Sequence, residues 1–307
     1  MNASLSPLVP ALEFRAKVFA ALRSAFDSEG FVETDTPCGI SAPAAEEYIE
    51  APRAGNVFLR TSPELEMKRL LCAGMERIYQ LGPCFRAGEN GRLHRSEFMM
   101  LEYYRAHWDY LELLAFTKRF LVSTARAVNG TAILSHRGKT VDLAADWDVI
   151  SVREAFEKFA PMSADEAAEE ESRFELLLTE NVEPHLPAGR PCVLIDYPVR
   201  FGAFARAKSS DPTLAERWEL YVCGVELANA YGELTDPAVQ SERFRRFAET
   251  RRRNGLAEYP VPEAFLGDLA CGMPECAGAA LGADRLVMLL RGASSLSETA
   301  FPLDPPD

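Results

Sequence analysis

Residues 77–105 read RIYQLGPCFRAGENGRLHRSEFMMLEYYR. Both ends are apolar and rich in strand-favouring residues, so Arg77 to Phe85 and Ser96 to Arg105 each read as a buried strand. The middle, RAGENGRLHR, is too charged for a simple turn and reads as a long loop closing an antiparallel hairpin. Alternation along the second strand sends Phe98, Met100, Glu102 and Tyr104 to one face. A buried glutamate there needs a partner, either an internal arginine or the ammonium group of a ligand. Arg86 closes the first strand, and its planar two-pronged donor suits a carboxylate or a phosphate.

A second hairpin is written in RWELYVCGVELANAYGELTD, residues 217–236. With Cys223-Gly224 as a two-residue turn, Val222 faces Val225, Tyr221 faces Glu226 and Glu219 faces Ala228. Glu219 and Glu226 then become diagonal neighbours on one face of the sheet. Carboxylates that close repel unless a cation or a shared proton lies between them. Hard oxygen ligands on a rigid sheet suit Mg²⁺ bridging nucleotide phosphates; the alternative is a pair of solvated glutamates. Simple alternation leaves Asn229 off that face, and only a bulge would bring it there.

The third feature is CAGAALGADRLVMLLRG, residues 276–292, a strand running into a helix. Gly278 and Gly282 allow the backbone to approach a ligand closely, and Arg285 falls in the first helical turn, where an anionic phosphate is favoured. Neither GxxxxGK[ST] nor GxGxxG occurs, which excludes a P-loop and a dinucleotide-binding fold.

Elsewhere, residues 8–29 read as an amphipathic helix on Leu12, Val18, Phe19, Leu22 and Phe26. Phe31 and Val32 open a short strand that Pro37 ends. Glu64 to Cys72 reads as a helix with Ser62 as N-cap and Pro63 as first helical residue. Helical, partly acidic sequence fills roughly 110–185. Strands return at Pro191 to Tyr197 and Trp218 to Ala228, and a strand-to-helix unit spans Ala277 to Arg291. Hairpins mixed with separate helices predict an α+β fold, an antiparallel sheet flanked by helices.

Composition narrows the function classes. A net charge of −13 argues against broad electrostatic capture of a nucleic-acid backbone. Pro7, Pro10, Glu13 and Arg15 break any signal-peptide core, and no apolar run is long enough to span a membrane, so a cytoplasmic protein is expected. Seven cysteines, an odd set without a CxxC pair, predict reduced thiols; Cys271 and Cys276 lack the other half of a zinc site. The helix ERFRRFAETRRRNG, residues 242–255, reads as a solvated face or as a docking patch for an acidic protein, with Arg251 and Arg252 available for contact.

Together and in this order, these segments resemble the motifs of class II aminoacyl-tRNA synthetases. TDTP at 34–37 after the long helix is similar to the dimer-forming first motif, FR…E…HRSEF to the second and GAALGADRL to the third. The match is closest to the lysine subgroup, through TSPELEMKRLL at 61–71, EFMMLEYYR at 97–105 and GVELANAYGELTD at 224–236. The first-motif helix begins near residue 8, which leaves no room for an anticodon-binding domain. The chain is thus similar to the truncated paralogues that attach (R)-β-lysine to a lysine of elongation factor P, and Ala280 stands where that group carries alanine and the synthetases carry glycine.

The resemblance implies a single catalytic domain over 1–307, with a mainly helical insertion around 110–190. It implies ATP-dependent activation of lysine or (R)-β-lysine as the adenylate, Mg²⁺, transfer to elongation factor P, a homodimer, and no tRNA or membrane partner. Carried over position by position, Arg86 and Arg285 would be catalytic. Ser62, Pro63, Glu64, Glu102, Tyr104, Asn229 and Glu233 would hold the amino acid. Arg86, Ala87, Gly88, Glu89, Arg95, Glu226, Leu227, Gly282 and Arg285 would hold the nucleotide, and Glu219 and Glu226 the metal. Two departures stand out: Arg86-Ala87-Gly88-Glu89 where relatives read Arg-x-Glu, and His94-Arg95-Ser96 where they read His-Asn-Pro. Two alternatives remain open: an adenylate-forming ligase that loads another carrier or small molecule, and a non-catalytic amino-acid-binding paralogue.

Overall fold

The computed structural model describes residues 6–44 and 49–302. Eight strands form the main sheet: β1 (Val32–Glu33), β2 (Arg77–Phe85), β3 (Glu97–Ala106), β4 (Asp148–Ser151), β5 (Cys192–Pro198), β6 (Leu214–Val222), β7 (Val225–Gly232) and β8 (Cys276–Gly282). Their spatial order is β1-β2-β3-β8-β7-β6-β5-β4. The six central strands pair antiparallel, whereas β1 joins β2 and β4 joins β5 in parallel. The sheet is therefore mixed and not antiparallel throughout. Both edge strands are short and are reached by long connections, as parallel neighbours require.

Alternation divides each central strand between two environments. Leu81, Leu101, Tyr103, Ala279 and Leu281 face a core shared with the helices Val9–Ser28, Tyr110–Asn129 and Ala283–Arg291. Phe26 lies at its centre, with Tyr79, Phe120, Phe31, Tyr103 and Phe116 at ring-centroid distances of 4.6–5.3 Å. Deleting a ring packed in this way costs roughly 3–5 kcal/mol. The first helix buries Ala11, Val18, Leu22 and Phe26, so Ala11 takes the place expected of Leu12. The other face of the sheet meets the helices Glu64–Cys72, Pro237–Arg253 and Glu263–Cys271 around Ile78, Tyr104 and Cys276. It stays open along Met100, Glu102, Ala280 and Asn229, and this opening is the cleft.

The segment 110–190 is less helical than its sequence suggests. Tyr110–Asn129 is a long helix, started by an Asp109–Glu112 capping box and stopped at Gly130, whose φ is 72°. A β-hairpin at Ile133–His136 and Lys139–Asp142 follows, then edge strand β4. Only 152–185 is a run of short helices, with its own core in which Phe174 stacks on Phe156 at 5.0 Å and on Phe201 at 3.9 Å. A four-residue strand such as DVIS is too short to register as a period.

In the arginine-rich helix Pro237–Arg253 the expectation that Arg251 is available for contact is corrected. Arg251 is fully buried: it donates to the carbonyls of Ala257 and Ile49, pairs with Glu50 at 2.7 Å and stacks on Tyr259. Arg243 is buried as well and donates to the carbonyls of Ala203 and Ala205. Arg252 is exposed but is gripped by both oxygens of Glu258. Arg251→Ala should therefore lower stability by about 2–4 kcal/mol, because it leaves the Ala257 and Ile49 carbonyls without their donor and removes a buried side chain stacked on Tyr259. Urea unfolding checks this through a lower midpoint at unchanged slope. All seven cysteines are free thiols, and among the described residues no cluster of three or more His, Cys, Asp or Glu side chains is placed to hold a metal. No described helix is long and apolar enough to cross a membrane.

Candidate active site

The β6–β7 hairpin turns at Cys223 and Gly224, with φ of 54° and 77°, the positive pair that a tight two-residue turn requires. Val222 pairs with Val225 and Tyr221 with Glu226, as the sequence indicates. Beyond them the register shifts: Leu220 pairs with Ala228 and Glu219 with Asn229. Leu227 is the extra residue of a β-bulge, so Glu219 faces Asn229 and not Ala228. The bulge carries Asn229 onto the face shared by Glu219 and Glu226. Its Oδ1 is buried without a hydrogen-bond partner among the described residues.

Glu219 lies beneath the cleft, where it accepts from Arg217 Nη2 at 2.5 Å and from the Tyr221 hydroxyl at 2.7 Å. Glu226 lines the cleft and pairs with Arg285 at 3.2 Å. Glu183, from the helical segment, reaches the same group through Tyr221, and burial, then Glu219 and Glu226, push its carboxyl up to about 7. Carboxylates this close favour the protonated form in one another. Two carboxylates and an orphaned amide oxygen fit a magnesium ion completed by phosphate oxygens and water.

At one end of the cleft, the loop after β2 and the start of the helix Ala283–Arg291 bring cations together. Arg86 Nε is buried without a hydrogen-bond partner among the described residues; its guanidinium lies 5.2 Å from the Phe98 ring, and Glu89 is a loose partner at 3.6 Å. Arg285 donates to the carbonyls of Leu93 and Glu226 and meets His94 Nε2 at 2.9 Å. Gly282 caps that helix, and Asp284 anchors it by accepting from the Met99 amide and pairing with Arg15. Arg95 lines the cleft but donates to the Phe301 carbonyl at 2.6 Å, so the C-terminal segment holds the loop. Ala87 and Gly88 are exposed; Gly88 has a φ of 76° and forms the bend between Arg86 and Glu89.

The other end is acidic. Glu102 and Glu233 are each 1% exposed, and Glu64 closes the group. Ser62 donates to Glu102 at 2.7 Å and Tyr104 at 2.5 Å. Among the described residues Glu102 makes no ion pair, so the internal arginine of the sequence reading is absent. Burial, reinforced by Glu64, raises its carboxyl above the usual range against the lowering effect of the two hydroxyls. Glu233 is raised by burial and by Glu64, although Lys68 pulls it down. The helix beside them starts one residue late: Pro63 is the N-cap, and the Ser62 hydroxyl accepts from the Glu64 amide at 3.0 Å. Leu227 lines the middle of the cleft, and Ala280 forms the floor between Asn229 and Glu102.

Lys68 was not singled out from the sequence. Its ammonium lies 2.5 Å from Glu64 and 2.6 Å from Glu233, over the Phe204 ring at 4.7 Å. The legible signal was Glu64-x-x-x-Lys68, an i,i+4 pair on a helix whose neighbours at 65, 67 and 71 are apolar. Arg217, which pairs with Glu219 two residues along the same strand and stacks on Tyr197 of the neighbouring strand at 4.2 Å, was also missed; its i,i+2 spacing to Glu219 was the legible signal.

The cleft thus joins a cationic end around Arg86 and Arg285 to an acidic end around Glu64, Glu102 and Glu233, with Glu226 and Asn229 also in its lining. Residues 7–305 match the family model for tRNA synthetases class II (D, K and N). Proteins named elongation factor P–(R)-beta-lysine ligase from Salmonella gallinarum and Salmonella paratyphi B are each 36% identical over 314 residues, covering 97% of this chain and 97% of their own. The chain belongs to the class II tRNA synthetase family, in the group formed around the aspartate, lysine and asparagine enzymes.

Proposed function

We propose that this protein activates (R)-β-lysine or lysine with ATP as the aminoacyl-adenylate and transfers it to a lysine side chain of elongation factor P. The observation that carries the reading is Glu102: a carboxylate 1% exposed, facing the cleft, with hydroxyl donors but no cation. A substrate ammonium completes it, and an uncharged side chain leaves it unpaired. The names of the relatives support the same substrate and acceptor.

The amino acid lies with its ammonium groups toward Glu64, Glu102 and Glu233 and its carboxylate toward Arg86. That carboxylate attacks the α-phosphorus in line, and pyrophosphate leaves toward Arg285. Phosphate oxygens take over the Arg285 donors that Glu226 and His94 now occupy. Glu219 and Glu226, with Asn229 beside them, would hold magnesium, which would supply positive charge to the phosphates. The acceptor amine, having lost its proton, then attacks the acyl carbonyl and releases AMP. Positioning and fixed charge supply the catalysis, with no covalent enzyme intermediate. Dimerisation through the first motif and independence from tRNA belong to the same proposal.

The raised carboxyls give a pH prediction. Glu102 and Glu233 retain protons in the free site at pH values where an ordinary carboxyl has lost them, and a bound ammonium needs them ionised. Substrate binding therefore releases protons. The KM for the amino acid should fall as pH rises from the ordinary carboxylate range to these raised values, by up to about tenfold per pH unit for each proton released. Calorimetry in buffers of different ionisation enthalpy counts the protons. The acceptor is tested by incubating enzyme, ATP and (R)-β-lysine with purified elongation factor P: a mass gain of one lysyl unit on a single lysine is expected. Adenylate formation with an unmodified factor would move the acceptor to another carrier.

A further inference from the structure

We propose that Lys68 is a specificity-determining positioning residue, whose internal charge sets how many ammonium groups the pocket demands of its substrate. The inference rests on the amino-acid-activating reading above and deepens it. Lys68 stands behind the cleft lining, 1% exposed, and bridges Glu64 and Glu233 from opposite walls. Burial alone would lower its ammonium, but Glu233 and then Glu64 reverse this and hold it above its ordinary value. Lys68 is therefore a permanent cation.

Among the described residues, the acidic end in its ionised, substrate-binding form holds the carboxylates of Glu64, Glu102 and Glu233, and against them this one ammonium. The remaining deficit is two positive charges. An amino acid whose carboxylate goes to Arg86 and which carries two ammonium groups fills that deficit; one with a single ammonium leaves a buried charge unpaired. Lys68 also fixes direction. It takes Glu64 Oε1 and Glu233 Oε2, while Glu233 Oε1 lies over Gly278 beside Tyr104, on the cleft side. The three acids thus divide into a pair oriented by Lys68 and a third, Glu102, oriented by hydroxyls.

The test compares wild type, Lys68→Met and the double variant Glu64→Gln/Lys68→Met in ATP–pyrophosphate exchange with lysine, (R)-β-lysine and norleucine. Lys68→Met leaves three carboxylates without the internal cation. It should raise the KM for the diamino acid about 30-fold or more, with kcat and the KM for ATP within about threefold of wild type. The double variant restores the deficit of two and should recover most of that loss while still rejecting norleucine. If Lys68→Met fails to fold, the double variant, whose acidic end has the same net charge as wild type, carries the test through its preference for diamino acids. An unchanged KM in Lys68→Met, equal losses toward ATP and amino acid, or a double variant no better than the single would overturn the assignment. A wild-type enzyme inactive with both diamino acids would instead overturn the activity reading, and the role of Lys68 with it.

Discussion

Replacing Arg86 by alanine is expected to lower amino-acid-dependent ATP–pyrophosphate exchange by about three orders of magnitude. Arg86 closes β2 with its guanidinium held over Phe98, its Nε buried without a partner among the described residues, and only a 3.6 Å contact to Glu89. In the proposed reaction it is the donor that meets the charge developing on the α-phosphate. Removing one such donor from a water-poor site costs roughly 10²–10³ in kcat, and a full charge goes with it here. Lysine at the same position restores charge without the planar fork and should recover only part of the rate. Thermal unfolding should barely change, because the contact of Arg86 with Glu89 is a loose 3.6 Å pair at a partly exposed position. Exchange within tenfold of wild type would remove Arg86 from the proposed chemistry.

Gly278→Ala should be nearly as damaging, at the opposite end. A Cβ on residue 278 would overlap the Tyr104 ring and come within 2.5 Å of Glu233 Oε1. The backbone cannot yield, because β8 is paired on both sides, with Tyr231 and Tyr104 opposite this residue. Tyr104 must then swing away, and its 2.5 Å bond to Glu102 is lost. A buried carboxylate deprived of a donor costs about 1–3 kcal/mol, and displacement of Glu233 adds to it. The KM for the diamino acid should rise about 100-fold or more, while ATP binding, governed by Arg86 and Arg285, stays near wild type. A KM that rises for both substrates alike would point to general damage to the sheet.

What the sequence disclosed, and what it did not, follows the range of the interactions. Local rules reached the Cys223-Gly224 turn, the shared face of Glu102 and Tyr104, and the helix from Glu64, because each depends on neighbours within a few residues. The bulge at Leu227 was not readable, since it accommodates β7 between β6 and β8 and only their pairing reveals it. For the same reason Asn229 gained its place only in three dimensions. Arg251 read as a surface charge because nothing near it in the chain announces Glu50 and the Ile49 carbonyl. Lys68 drew no reading from the sequence, because Glu233 completes it from far along the chain. The departures after Arg86 also take their meaning from the fold: Glu89 contacts Arg86 across the Gly88 bend, and Arg95 is drawn toward the C-terminal segment.

The central claim is that the acidic end of this cleft selects a diamino acid for adenylation at the cationic end. Its most direct measurement is ATP–pyrophosphate exchange by the intact chain with (R)-β-lysine, lysine and norleucine at equal concentration. Exchange with one or both diamino acids, and none above background with norleucine, is the predicted result. Exchange supported equally by norleucine, or by none of the three, would contradict it.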